Sequence, residues 1–427
     1  MESAVLPALQ ARFHDRLETI DAESWNRLRP SAHPFLDHAF LAGLEQTGCI
    51  RHDWGWQPHH LGLYRGEQLV AAAPLYLKGN SHGEFVFDWS WADAWERAGG
   101  EYYPKLLNAV PYSPVPGPRL LAGQGEDADA LRQALVQAMQ AETARLQLSS
   151  LHANFLTPPD LPAFPAEWLA RSDLQYHWHH RGWADFEAFL AALTPKKRKN
   201  IRQERRRVAG YGLDIAMQDG AAFSAAEWSR LHELYRNTFD EKGNHAALTP
   251  AMFQRFGQAL SAQVRVATAR HQGEIIAMAL FLQGPETLYG RYWGADPAAF
   301  DEPVNAPATT DTTTGGSLSY LHFELCYYRG IEHCLTEGLA CFEPGAQGRH
   351  HKMARGFMPT LTHSRHYLPH PGFRQAVQHA LHREAQARLQ TQAELLGHSP
   401  YLHDREPQHE PVTSLRHPGP GHLPAAG

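Results

Sequence analysis

Cysteine is scarce. Cys49, Cys326, Cys334 and Cys341 are the four in a chain of 427 residues, too few for a disulfide framework and without the paired Cys-x-x-Cys spacing of a metal clip. They are expected to be reduced and buried. Long hydrophobic runs are also missing, since no stretch reaches the roughly 18 consecutive apolar residues that a spanning helix needs. The N-terminal stretch has no basic segment leading into an apolar one, so no secretory leader is expected and the reading is a soluble, cytoplasmic protein. Excess positive charge is absent too. A formal net charge of -6 argues against a general nucleic-acid coat, because non-specific affinity grows with the number of phosphates neutralised.

Histidine, by contrast, is plentiful, with 28 in the chain. The clusters His59-His60, His177 to His180 and His350-His351 do not have helical i, i+4 spacing around a glutamate, and adjacent side chains diverge on a helix or a strand. No resident metal is expected. With 43% hydrophobic and 11% aromatic residues, the chain holds enough apolar material for two domains of ordinary size.

The element order supports two. In the first half, "FLDHAFLAGLEQ" reads as an amphipathic helix, and two apolar runs joined by Arg65-Gly66-Glu67 read as a hairpin. "GEFVFDWSWADAW" reads as a third strand. A Pro/Gly loop then leads through a strand and the glycine turn "LLAGQGEDADAL" into a long helix, and "SSLHANFL" and "LQYHWHH" read as late strands. The second half repeats the order: a helix over 194–208, a strand at 212–217, and helices near 225–240 and 249–261. Three strands follow in "VRVATARHQGEIIAMALFLQGPETLYGRYWGAD", then a helix from Leu318 to Thr336 and strands in "LACFEPG" and "THSRHYL". The expected fold class is α/β, two units that are each a mixed, mainly antiparallel sheet flanked by helices. The expected division is an N-terminal extension over 1–29, domains over 30–185 and 186–396, a mobile insertion over 301–317 and a disordered tail over 397–427.

One stretch stands out against the acidic background. "TPKKRKNIRQERRR" packs its positive charge between a Thr194-Pro195 helix start and the stop at Gly210 and Gly212. At about 100° per residue, Arg198, Arg202 and Arg205 form one ridge, Lys199 and Arg206 the next, and Ile201 and Val208 a separate docking face. Five like charges on one arc repel each other. An anionic partner would relieve that repulsion; a solvated face is the alternative.

The segments "KRKNIRQERRR", "YGRYWGAD", "LHFELCYYRGIEHCL" and "FEPGAQGRHHKMARGFMPTLTHSRHYL" resemble the bacterial family described as peptidoglycan biosynthesis or recognition proteins. Its members are called GNAT-family acyltransferases and are similar to the FemAB peptidyltransferases. The resemblance spans roughly residues 30 to 390. It implies a tandem of two GNAT-like domains with a substrate cleft between them, and it implies that Lys352 handles a phosphate of donor or acceptor.

N-acyl transfer needs a neutral amine, a polarised acyl carbonyl and a hold on the donor's phosphates. Two glycine turns are candidates for that hold. Gly123 and Gly125 precede the long helix, where Asp127 and Asp129 would repel a phosphate, so a plain strand-to-helix turn is the alternative. Gly345 and Gly348 are richer, with Arg349, Lys352 and Arg355 close behind. Glu324, inside an apolar helix, is the candidate general base if burial raises its pKa; pairing with Arg291 or Arg329 is the alternative. Tyr292 is the second catalytic candidate, and Trp293 and Tyr112 are candidates for lining the substrate pocket. No Ser or Cys has an identifiable His partner, so direct amine attack is expected. The co-substrate is acyl-CoA or an aminoacyl-tRNA, the acceptor a peptidoglycan precursor or other small amine, and the protein a monomer without a permanently bound cofactor. A non-catalytic recognition module is the rival reading. If the basic ridge binds phosphate, Arg198 and Arg202 should point at the Gly345 to Arg355 loop.

Overall fold

The computed structural model describes residues 8–125, 127–240, 243–300, 316–346, 350–402 and 404. The strands, in chain order, are β1 Leu9–His14, β2 Trp56–Pro58, β3 His60–Arg65, β4 Gln68–Ala73, β5 Leu75–Lys78, β6 Lys105–Asn108 and β7 Leu151–Leu156. They continue with β8 Leu169–His179, β9 Asp214–Asp219, β10 Val264–His271, β11 Glu274–Gln283, β12 Thr287–Ala295, β13 Cys341–Glu343 and β14 Met358–Tyr367. Around them lie α1 Ala22–Arg27, α2 His38–Gln46, α3 Trp89–Arg97, α4 Ala128–Arg145, α5 Phe186–Ala192, α6 Pro195–Ala209, α7 Ala225–Asp240 and α8 Pro250–Gly257. The last helices are α9 Gly316–Phe323, a π-helical turn at Glu324–Tyr328, α10 Arg329–Glu337, α11 His350–Met353 and α12 Pro371–Leu396. None of the described helices is long and apolar enough to cross a membrane.

Among the described residues, β1, β3 and β4 form a 3-stranded sheet, and the others form an 11-stranded sheet in the order β2-β5-β6-β7-β14-β8-β13-β12-β11-β10-β9. The large sheet repeats one arrangement twice. In its first half the parallel pair β6/β7 follows the antiparallel β5/β6 pair; in its second half the parallel pair β12/β13 follows antiparallel β11/β12. Beyond β7 come β14 and then β8, and beyond β13 come β8 and then β14. Each half therefore places its last strand against the other half's parallel pair. That exchange joins the halves through continuous backbone hydrogen bonding, and each half is a mixed, mainly antiparallel sheet with helices packed on it. The continuous apolar run of β11 is buried along nearly its whole length, as expected of a strand covered on both faces.

Three expectations change. Residues 8–29 are no extension: β1 pairs with β3 from Leu9↔Arg65 to His14↔His60, and Leu17 and Trp25 are fully buried, the Trp25 indole donating to Leu36 O at 3.0 Å. The stretch "GEFVFDWSWADAW" is a loop and the helix α3, not a strand. Phe85 there has a left-handed φ of 60°, which breaks a pleat, while Trp91 and Trp95, four apart, suit one helical face and join the same aromatic cluster. The chain after 396 is ordered as far as Leu402. Tyr401 is buried, pairs with Leu193, stacks on Trp183 at 5.6 Å and donates its hydroxyl to Gly356 O at 2.7 Å. The long α12, which no expectation covered, leads into this segment. Residues 301–315 of the expected insertion and 405–427 of the expected tail lie outside the described residues.

Candidate functional site at the parting of two parallel strands

β12 and β13 pair over three residues, from Thr287↔Cys341 to Tyr289↔Glu343. There β13 ends, while β12 runs on beside β11 alone. On the continuing strand the register with β11 jumps from Phe281↔Gly290 to Leu280↔Tyr292, leaving Arg291 as the extra residue of a bulge. Bulges re-aim side chains, and this one accompanies an inward guanidinium. The parting holds a cavity of 110 Å³ lined by Gly290, Arg291, Tyr292, Trp293, Cys326 and Pro344, among others. Cys326 and Tyr327 reach its wall because the π-helical turn inserts a residue between α9 and α10, a distortion common at functional sites.

Charge gathers around this cavity. The Arg291 side chain is 3% exposed, donates to Gly290 O at 2.7 Å and to Glu343 at 3.5 Å, and has no partner for its Nε. Glu343 is pushed up to about 7 by burial, against the pull of Arg291. Lys352 is 1% exposed and donates to Gly345 O at 2.5 Å. Burial pulls its pKa down to about 7, and Arg291 pushes the same way. Gly345 makes that contact from a φ of 85°, open to glycine at little cost. From the first half of the chain comes Arg119, fully buried. It donates Nη2 to Val115 O at 2.5 Å and leaves Nε and Nη1 without partners, and burial lowers its pKa to about 10. Arg119 and Arg291 both act on buried His33, whose pKa burial takes down to about 3. Arg119 and Arg291 both act on Glu343, which is itself inclined to protonate; Arg119 acts more strongly on buried Asp160, and Lys352 feels Arg291. Buried charge is costly unless it is paired, and among the described residues the carboxylate bonded to Arg291 is Glu343, at a long 3.5 Å.

The structure brings Tyr292, Trp293, Gly345 and Lys352 to this place. Tyr292 is partly buried, its ring edge-on to Tyr235 at 5.1 Å, and burial raises its phenol pKa. Trp293 meets His322 edge-on at 5.1 Å. Tyr112 packs its ring on Trp56 at 5.3 Å and donates to Cys49 O at 3.0 Å; like Tyr292 it feels Cys49.

Other expected residues go elsewhere. Glu324 is buried, but Arg205 holds both its oxygens at 3.0 and 3.1 Å and Arg329 adds a contact at 3.0 Å. With both oxygens engaged by guanidinium groups, Glu324 anchors the π-helical turn to α6. Ile201 and Val208 dock α6 as expected, but Arg198 reaches Ala191 O at 3.4 Å, Arg202 pairs with Glu187, and Lys199 is exposed. Arg198 and Arg202 therefore turn to α5, not to the 345–355 loop. Arg202 and Glu324 instead line an open groove of 800 Å³ with Arg205, Arg206, Arg329 and Glu187. There, the pairs Arg202–Glu187, Arg205–Glu324, Arg205–Glu332 and Arg329–Glu332 match most of the charge, so the groove asks less of a ligand than the parting does. Arg355 is a clamp: it donates to Glu204 at 2.7 Å and to Tyr328 at 2.9 Å and lies 3.4 Å from the Phe323 ring centroid. Gly123 donates to Leu28 O at 2.8 Å and Gln124 to Pro30 O at 2.5 Å, so that side of the first glycine turn is occupied by the chain's own N-terminal segment, while Gly125 O accepts from Ala128 N at 3.0 Å at the start of α4. Gly348 and Arg349 lie outside the described residues.

Sequence reasoning passed over Arg119 and Glu343; of the two partners it offered Glu324, Arg329 is found there and Arg291 pairs with Glu343 instead. The available signal was polarity out of place, an arginine within "YGRYWGAD" and a glutamate closing the apolar "LACFE". One group could hold a metal among the described residues: ligand atoms of His177, His179 and Cys341 lie within 4.8 Å of one another.

The sequence pattern of the FemAB-like family, described as peptidoglycan biosynthesis/recognition, matches residues 16–301 and 313–403. No curated protein matches. Solved structures that match include FemX, at 9% identity over 86% of this chain and 100% of that one, with a TM-score of 0.45. The C-terminal domain of a putative lysylphosphatidylglycerol synthetase from Agrobacterium fabrum matches at 12% identity over 85% and 96%, with a TM-score of 0.46. A tandem GNAT protein from the clavulanic acid biosynthesis pathway matches at 13% identity over 85% and 99%, with a TM-score of 0.42. The doubled, strand-exchanged sheet has the mixed, mainly antiparallel α/β makeup expected for each half of this chain.

Proposed function

The chain belongs to the FemAB-like peptidoglycan biosynthesis/recognition family, and on that premise we propose that it is a cytoplasmic transferase that forms an amide on an amino group of a peptidoglycan-related acceptor. The observation that carries the reading is the gathering of buried Arg291, Glu343 and Lys352 at the parting of β12 and β13, with Arg119 acting on Glu343 from the first half of the chain. In this reading Arg291 and Arg119 face a carboxylate or phosphate of donor or acceptor, whose charge completes the cluster. The acceptor nitrogen attacks the acyl carbonyl carbon, the bond to the donor's sulfur or oxygen breaks, and the proton shed by nitrogen passes to Lys352 Nζ. A lysine with a pKa of about 7 is matched to that transfer near neutral pH. Tyr292 and Trp293 form the wall against which the acceptor is oriented.

Purified protein incubated with an amine-bearing peptidoglycan precursor and either acetyl-CoA or aminoacyl-tRNA tests this, with the product mass read by mass spectrometry. A mass increase with one donor supports transfer and names the donor class. Precursor binding with neither donor consumed makes the chain a recognition protein and overturns the proposal.

A further inference from the structure

His177 and His179 are two apart on β8, so both project from one face of the sheet. The register of β13 against β8 sets Cys341 directly opposite His179, and opposed residues on neighbouring antiparallel strands have Cβ atoms about 5 Å apart. Two imidazoles and a thiol thus converge from two strands, with ligand atoms already within 4.8 Å of one another. Gln175, also on this face, carries a second observation. Its amide nitrogen donates to Pro114 O at 2.9 Å, which leaves its oxygen to accept from His177 Nε2 at 3.1 Å. A carbonyl oxygen only accepts, so the network places the His177 proton on Nε2 and the lone pair on Nδ1. Orientation of a ligating histidine by a hydrogen bond to its other nitrogen is what metal sites use. His179 is exposed and Cys341 half-buried, which gives access from solvent.

We propose that His177, His179 and Cys341 bind a zinc-class divalent cation, with solvent as the fourth ligand. The donor set of two neutral imidazoles and a thiolate suits a borderline-soft metal with tetrahedral preference. On binding, the Cys341 thiol releases its proton to solvent and its sulfur takes up the metal. The thiolate, and Glu343 two residues on along the same face, offset the repulsion from Arg291 and Lys352, which both act on His177. The bound ion would staple β8, the strand arriving from the first half, to β13 of the second, beside the parting where the proposed transfer takes place.

Cobalt(II) is the probe, because thiolate coordination gives a near-ultraviolet charge-transfer band that imidazole coordination lacks. Titration of the full chain should produce that band with a single equivalent of cobalt, and zinc should displace it. Cys341→Ser should abolish the band. His179→Ala, a change at an exposed position, should weaken binding by roughly tenfold or more. Absence of the band in the unaltered protein overturns the proposal. So does a band that survives Cys341→Ser, or cobalt absorption of histidine type alone, which would come from the histidines beyond residue 402. All of these readouts are independent of transfer activity, so they stand or fall apart from the proposed function.

Discussion

Two buried lysines show how neighbours decide the state of the same group. Lys105, at the start of β6, is fully buried and donates to Glu84 at 2.6 Å, Asp88 at 2.6 Å and Ser81 at 2.9 Å. Tyr102 adds a hydrogen bond to Asp88 at 2.5 Å, and His152 closes the cluster with bonds to Ser150 at 2.9 Å and His366 at 2.7 Å. Burial opposes its charge, yet the two carboxylates keep its pKa above the ordinary value. Lys352 is buried as deeply, but its bonded partner is a carbonyl and its charged neighbour a guanidinium, so its pKa falls to about 7. A lysine saturated by carboxylates keeps its proton, whereas one left with a carbonyl and a guanidinium gives it up near neutral pH.

Removing the saturated lysine should give the largest effect. Lys105→Met leaves Glu84 and Asp88 buried without their cation, and breaking a buried ion pair from one side costs about 3 to 5 kcal/mol. Urea denaturation followed by circular dichroism measures it. Lys352→Met should cost little or nothing in the same measurement, because no buried carboxylate loses its bonded partner. Equal losses in the two variants would break the comparison.

Activity should reverse the order. If Lys352 takes the proton, Lys352→Met should slow transfer by about 10²-fold to 10⁴-fold while the protein stays folded. A variant of unchanged rate would return Lys352 to a packing role.

The pH dependence of stability sharpens the contrast because its sign differs. Lys352 titrates near 7 when folded and near 10.4 when unfolded, so between these values the unfolded chain holds a proton that the folded chain lacks. Its contribution to stability therefore rises from about pH 7 to about pH 10, by up to about 1.4 kcal/mol per pH unit. For Lys105 the folded pKa is the higher one. Its contribution is fully present below the unfolded pKa and declines as pH rises through the folded one. Denaturation at pH 6, 8 and 9 should show the gap between the unaltered protein and Lys352→Met moving in the protein's favour, with no such gain against Lys105→Met.

The fold was more legible than the site, for a physical reason. Periodicity reports which side of an element is buried, and it located α4, α6, α7, β7, β8 and the β10 to β12 meander. It failed at Trp89–Arg97, where alternating aromatics imitate a strand until Asp88 is seen tied to Lys105 and Tyr102. Long-range pairing has no local signature, so the exchange of β8 and β14 and the docking of Tyr401 were invisible. The site suffered similarly. Lys352 and Gly345 lie in one short segment, but Arg119 and Arg291 are far apart in sequence and converge only because the first half's loop covers the parting. The basic run drew attention through density of charge, yet a charge dense in sequence is easily solvated, and the consequential cations are the isolated ones.

The smallest expected effect tests that last point. Arg202 and Glu187 form an exposed pair, at 49% and 66% side-chain exposure, of a kind worth about 0 to 1 kcal/mol. Arg198 has only a 3.4 Å contact with a backbone carbonyl. Replacing both with Gln removes two members of a mutually repelling ridge, so stability should change by no more than about 0.5 kcal/mol in either direction. Binding of a phosphorylated precursor should be unaltered, because neither side chain reaches the β12–β13 parting. A tenfold loss of that binding in Arg198→Gln/Arg202→Gln, with Arg291→Lys unaffected, would move the anion site from the buried cluster to the helix surface and reverse the assignment of the two regions.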